Sequence, residues 1–271
     1  MIVNFTKRIV IPMLTFIALS GCNLQHKLLY YPSSFVPSQE LLHANNIQFW
    51  PSDKNNYRGF VSIAENNHVK GTVIVFHGNA GTAADRTYYV QALEPLGYRV
   101  ILAEYPGYGA RAGALGEKSF VGDAKETVRI AHKRYGNPLF LLGESLGCGV
   151  VAAIAKEAPE NINGLILITP WDSLLSISKS QFPWIPVRFF MKDTYDNIGN
   201  LKDYQGKIAI AAAERDDVIP MRHATALYQS LQESKKMWVM KGVGHNDWPR
   251  VTGQSWWQEI MGFVSDSSAH L

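Results

Sequence analysis

From Lys70 onward the chain alternates short apolar, β-branched runs with longer helical stretches, and this rhythm constrains the fold more than any other feature. The apolar runs fall at residues 72–76, 99–103, 139–142, 165–169, 208–212 and 237–240. Most are continuous rather than alternating, the pattern of parallel strands covered on both faces. Helices are expected between them near 83–96, 117–135, 146–156, 222–232 and 251–264. Alternation of this kind specifies an α/β, mostly parallel, doubly wound sheet. Upstream, residues 47–49 and 58–64 read as antiparallel strands joined by the polar turn 52–56. Residues 171–204 break the rhythm, with Trp171, Phe182, Trp184, Phe189, Phe190 and Tyr195 set around Pro183 and Pro186. An irregular insertion of this length is either a lid or binding loop, or an extra helix over the sheet edge.

Composition excludes several classes. At 271 residues, 46% hydrophobic and 18% charged, the chain can bury one sizeable core and is neither disordered nor a multi-span membrane protein. Lys7 and Arg8 supply two of the formal charges in the net +3, and no basic cluster follows, so no nucleic-acid partner is expected. HExxH, paired CxxC and the phosphate-binding GxxxxGK[ST] pattern are absent, and the glycine-rich stretch 107–113 is one residue too long for a dinucleotide fingerprint. No metal and no cofactor are expected.

The first residues read as a targeting segment. Lys7 and Arg8 precede an apolar stretch, residues 9–18, that is interrupted by Pro12 and falls short of the ~20 residues needed to span a bilayer. It ends in Leu19-Ser20-Gly21-Cys22, which resembles the lipobox of bacterial lipoprotein precursors. The resemblance implies a signal peptide over 1–21, cleavage before Cys22 and acylation of that cysteine by palmitate-like chains. The mature chain would then hold an anchor segment over 22–46 and a domain over 47–271. Asn23, where Asp would mark inner-membrane retention, favours an outer-membrane lipoprotein facing the periplasm. With Cys22 lipidated, Cys148 has no disulfide partner and is expected to be a buried packing residue.

The chemistry centres on Gly143-Glu144-Ser145-Leu146-Gly147, between an expected strand and an expected helix. Two glycines permit the sharp turn that lifts a serine into the open, and the helix that follows aims its N-terminal amides toward it. A serine hydroxyl needs a base. His245, in the loop after the last expected strand, has the right setting, whereas His26, His43, His132, His223 and His270 read as surface residues. Asp216, after the run 208–212, would orient that base, with Asp217 as competitor and Asp172 as a more distant third. The order Ser145, Asp216, His245, each after a successive strand, is that of an α/β-hydrolase triad. The amides of Asn79 and Leu146 are the expected oxyanion donors, and the His77 ring is expected to order the loop around Asn79.

Five motifs together resemble α/β-hydrolase serine hydrolases: HGNAG at 77–81, EYPGYG at 104–109, GESLG at 143–147, DDVIP at 216–220 and GVGHND at 242–247. The closest likeness is to the bud-emergence type branch of small esterase-like proteins, which also share a segment like Leu28-Leu29-Tyr30-Tyr31-Pro32. Glu104 stands where the branch usually has Asp, and Ala213 where it usually has Gly. The resemblance implies hydrolysis of small esters or thioesters, or other acyl substrates, through an acyl-enzyme, without a cofactor. A serine peptidase of the same fold and a catalytically silent, membrane-tethered binding protein are the alternatives.

Overall fold

The structure is a computed structural model that describes residues 25–63, 69–232 and 234–266; the lipobox and Cys22 lie outside the described residues. Eight strands form one sheet: β1 (Ile47–Trp50), β2 (Gly59–Ser62), β3 (Gly71–Phe76), β4 (Tyr98–Ala103), β5 (Leu139–Glu144), β6 (Gly164–Ile168), β7 (Lys207–Ala213) and β8 (Lys235–Met240). Their order is β8-β7-β6-β5-β3-β4-β2-β1. Strands β3 to β8 run parallel, while β2 is antiparallel to both β1 and β4. Every residue of β3, β5 and β6 is buried, which is why those segments are apolar apart from Thr72 in β3 and Glu144 at the end of β5.

Successive residues of each strand feed opposite faces. Ile74, Leu141, Leu165 and Ile210 meet helices α3 (Glu117–Tyr135), α4 (Leu146–Glu157) and α7 (Met221–Ser230) in one core layer. Val75, Leu142, Ile166 and Ala211 meet α2 (Tyr88–Leu93) and α8 (Gln254–Ser265) in the other. The helix expected over 83–96 is broken into a 3-10 turn (Ala83–Arg86), α2 and a second 3-10 turn (Glu94–Leu96). Pro95 offers no amide to continue the helix, and Gly97 at φ 90° closes it.

The insertion resolves into α5 (Leu174–Gln181), capped by the Ser173 hydroxyl, a 3-10 turn at Val187–Phe189 and the short α6 (Asn197–Leu201), capped by Asp196. It therefore contributes helical turns over the carboxyl ends of the strands as well as an irregular aromatic stretch. The N-terminal segment belongs to the same body. Tyr30 is buried in the first core layer, Tyr31–Pro32 pairs in parallel with Ala80–Gly81, and α1 (Gln39–Ala44) buries Leu42 in the second layer.

Leu141 sits fully buried at the centre of β5. Truncating it to alanine is expected to cost about 2–5 kcal/mol, read as a lowered urea midpoint with an unchanged slope.

Candidate active site

Ser145 joins β5 to α4 at φ 51° and ψ −114°, a backbone conformation that costs a non-glycine residue energy and survives only where its surroundings impose it. Here they do. The Ser145 amide donates to the Ile168 carbonyl at 2.9 Å, and its carbonyl accepts from the Cys148 amide at 2.9 Å. A Cβ on Gly143 would lie 2.6 Å from the Gly147 carbonyl oxygen, and one on Gly147 would overlap the carbonyl of Phe76. Gly143 is therefore required for the start of α4 to fold back on β5, and Gly147 for it to pack against β3, and the turn so formed lifts the serine side chain clear of the sheet.

Ser145 Oγ lies 2.9 Å from His245 Nε2, and His245 Nδ1 lies 2.7 Å from Asp216 Oδ2. The second Asp216 oxygen accepts from the amides of Val218 and Ile219 at 3.0 and 2.6 Å, which fixes the carboxylate against its own loop. An Nδ1 proton donated to Asp216 leaves Nε2 as the acceptor for the serine hydroxyl. The side chains of His245 and Asp216 are 8% and 2% exposed, so water competes little for these contacts. The Arg215 amide donates to the Val243 carbonyl at 3.0 Å, tying the Asp216 loop to the His245 loop. Three residues chosen from the sequence thus meet in one hydrogen-bonded row.

Asp172 is engaged elsewhere: its Oδ1 lies 2.9 Å from His223 Nδ1. His223 is buried, which corrects its reading as a surface residue; α7 packs on the sheet, and Asp172 at the end of β6 supplies the polar partner that makes burial tolerable. Cys148 is buried and unbridged, its thiol directed at the carbonyls of Gly143 and Ile168; burial holds its pKa well above the usual thiol value.

Asn79 and Leu146 line the same cavity as Ser145 and His245. The Leu146 amide opens α4, where the first N–H groups have no partner within the helix. The Asn79 peptide is gripped by the N-terminal segment and the loop after β4. Its carbonyl accepts from the Tyr31 amide at 2.9 Å and the Tyr108 hydroxyl at 2.6 Å, while its side-chain amide donates to the Leu29 carbonyl at 2.9 Å. His77 orders the start of this loop: Nδ1 donates to the Gly78 carbonyl at 2.7 Å, and Nε2 lies 3.0 Å from Glu104 Oε1. Glu104 also accepts from the Ala83 amide at 3.0 Å.

Two features carry no sequence signal. Glu144, beside the serine, accepts from the hydroxyls of Tyr88 and Tyr89 at 2.6 and 3.0 Å and from Arg86 Nε at 3.2 Å. Burial alone would raise its pKa, but the Arg86 guanidinium and the two phenols outweigh it and hold the carboxyl below the usual range; burial and that carboxylate push both phenols up. The variable positions of a GxSxG motif give no hint of this network. The second is a latch between chain segments far apart in sequence: the Tyr30 hydroxyl donates to Asp193 Oδ2 at 2.7 Å and lies 3.1 Å from the Tyr195 hydroxyl.

The cavity holds about 910 Å³, the upper end of the ~300–1,000 Å³ usual for ligand sites. Ser145 and His245 line it, and its apolar walls come from Leu28 and Leu29 of the N-terminal segment and from Leu174 and Ile177 of α5. Among the described residues no group of three or more His, Cys, Asp or Glu side chains is arranged to hold a metal ion.

Comparison with known proteins agrees with this architecture. Residues 67–188, which include the Asn79 loop and the serine turn but end before Asp216 and His245, match a family described as serine aminopeptidase, S33. An uncharacterized protein of Mycobacterium tuberculosis, Rv2307c, is 28% identical over 250 residues, covering 90% of this chain and 88% of that one. The lysophosphatidylserine lipase ABHD12 of Bos taurus is 29% identical over 182 residues, covering 60% of this chain and 46% of that protein. Among solved structures, the Pyrococcus furiosus esterase Pf2001 superposes with a TM-score of 0.66 at 15% identity, over 87% of this chain and 96% of that one. The chain has the α/β-hydrolase fold.

Replacing Glu144 with Gln removes the charge facing Arg86 and is expected to cost ~1–3 kcal/mol near neutral pH. Because the folded-state pKa is depressed, the wild-type advantage is fully present above the unfolded value of ~4.3 and shrinks as pH falls through the folded one. Urea melts of both proteins should show the gap wide near pH 7 and narrowing progressively as the pH is lowered below ~4.3.

Proposed function

We propose that the protein is a serine hydrolase of carboxylic esters or thioesters, acting through an acyl-enzyme. The reading rests on the row Ser145–His245–Asp216 at a strained turn that faces a large apolar cavity. His245 Nε2 takes the hydroxyl proton as Ser145 Oγ attacks the substrate carbonyl carbon. The amides of Leu146 and Asn79 receive the developing oxyanion. Asp216 stays ionised and stabilises the imidazolium. The tetrahedral intermediate collapses, His245 returns the proton to the departing alcohol or thiol, and the acyl group remains on Ser145. Water, deprotonated by His245, repeats the sequence and releases the acid. The chain itself supplies every group these steps use.

An ester-like substrate with an acyl chain suits the apolar walls better than a peptide does. The family name attached to residues 67–188 keeps a peptidase as a second reading. An aminopeptidase needs a carboxylate for the substrate's terminal ammonium, and Glu144, the acid that lines the cavity beside Ser145, is already committed to Arg86, Tyr88 and Tyr89. Within the superfamily, the five motifs favour the bud-emergence type branch. The lipobox-like Leu19-Ser20-Gly21-Cys22 supports a lipoprotein tethered through Cys22, facing the periplasm from the outer membrane.

Ser145→Ala is expected to abolish fluorophosphonate labelling and to lower kcat by as much as ~10⁶, and Asp216→Asn to lower it by ~10⁴, with folding intact. p-Nitrophenyl esters should be turned over faster as the acyl chain lengthens beyond acetyl, and the corresponding anilides far more slowly. Folded wild-type protein that takes no label would favour the silent binding protein, and preference for an aminoacyl anilide would favour the peptidase.

A further inference from the structure

Trp184 is 94% exposed and Phe189 is 81% exposed, and Ile185 and Phe182 in the same stretch are also open to solvent. Large aromatic side chains displayed together in this way mark a surface that meets another phase or partner. Their chemistry narrows the choice. From Ser173 to Lys192 the chain holds no acid, but it holds Lys179, Arg188 and Lys192, all exposed and without an ion-pair partner among the described residues. Apolar side chains flanked by cations suit the interfacial zone of a bilayer carrying anionic lipids.

Two further observations point the same way. Phe182 and Ile185 are both exposed on this surface and part of the cavity wall, so the patch is continuous with the mouth of the site. Gln25, the first described residue, is bonded to this insertion: its Nε2 donates to the Asp193 carbonyl at 2.7 Å, and its Oε1 accepts from the Lys192 amide at 2.9 Å. Cys22 precedes Gln25 by three residues, a span of at most about 10 Å. An acyl group on Cys22 would therefore be tethered within about 10 Å of the backbone of Gln25, whose side chain is bonded to the insertion.

We propose that the surface formed by Trp184, Ile185 and Phe189, flanked by Lys179, Arg188 and Lys192, docks on an anionic phospholipid bilayer and turns the cavity mouth toward it. The substrate then enters from the membrane, which makes it a lipid ester whose acyl chain slides from the bilayer between Phe182 and Ile185 toward Ser145. The docking stands on the surface alone; the substrate class rests on the hydrolase reading above.

The molecule carries its own reporter. Of its seven tryptophans, all within the described residues, only Trp184 is exposed. The full chain would be bound to vesicles of phosphatidylcholine and phosphatidylglycerol whose acyl chains carry bromine, a contact quencher of indole. Quenching that disappears in Trp184→Phe, and that weakens when phosphatidylglycerol is omitted, is the expected result. The double variant Lys179→Gln/Arg188→Gln should weaken binding about fivefold per cation. Vesicle-bound protein with no quenching, quenching unchanged in Trp184→Phe, or no vesicle binding would overturn the proposal. So would self-association that shields Trp184, seen as a dimer by sedimentation. Turnover of p-nitrophenyl butyrate in solution separates the two readings. The double variant Trp184→Ser/Phe189→Ser should keep that activity and lose hydrolysis of vesicle-borne esters. An inactive wild type that still shows Trp184 quenching would sink the hydrolase and leave the docking surface standing.

Discussion

The start of α4 lies against the end of β3 with no room for a side chain at Gly147, and the geometry of the site depends on that contact. It sets where the helix begins, and so where its unpartnered amides point. It also forces the strand-to-helix turn into a conformation that an isolated peptide would abandon. Strain of this sort is stable only when packing over-determines it, and here β3, β5 and β6, buried along their whole length, provide a rigid frame on both sides. Fully extended neighbours hold the turn, so the serine need not spend binding energy on being positioned.

Around that fixed point the protein arranges two kinds of electrostatics. One is a row in which each member has one clear partner: Asp216 is pinned by its loop amides, His245 is oriented by Asp216, and Ser145 faces the remaining ring nitrogen. The other is a closed cluster, Glu144 with Arg86, Tyr88 and Tyr89, in which a buried charge is neutralised beside the serine without facing it. A buried carboxylate left unpaired at that place would raise the cost of any negative charge forming on a nearby oxygen. Pairing it with a guanidinium and two phenols removes that penalty.

The sheet and the three-residue row were legible because each rests on a local rule. Continuous apolar runs announce buried parallel strands, and glycines two residues either side of a serine announce a tight turn. The chain order of serine, acid and base follows from successive strand ends. Glu144, His223 and the Tyr30–Asp193 latch were not legible, because each depends on which segments meet in space. Tyr88 and Tyr89 look like ordinary helix residues until α2 lies over the turn, and His223 looks solvated until α7 brings it against Asp172 in the segment after β6. The broken helix over 83–96 is intermediate: Pro95 and Gly97 are visible signals, but apolar periodicity across the stretch outweighs them on paper.

The latch between Tyr30 and Asp193 joins residues 163 positions apart, and the Ser145–His245 contact spans 100. Contacts of such separation close late and set the pace of folding. A chain emerging from its N-terminus completes the serine turn once β6 is made, long before the histidine exists. The wall supplied by Leu28 and Leu29, though synthesised first, meets Leu174 and Ile177 around the cavity only once the insertion has been made. The order of synthesis therefore leaves an unfinished chain with a serine that lacks its base and a binding cavity that lacks one side. The hydrogen-bonded row of Ser145, His245 and Asp216 is therefore complete only when the last loop has been made.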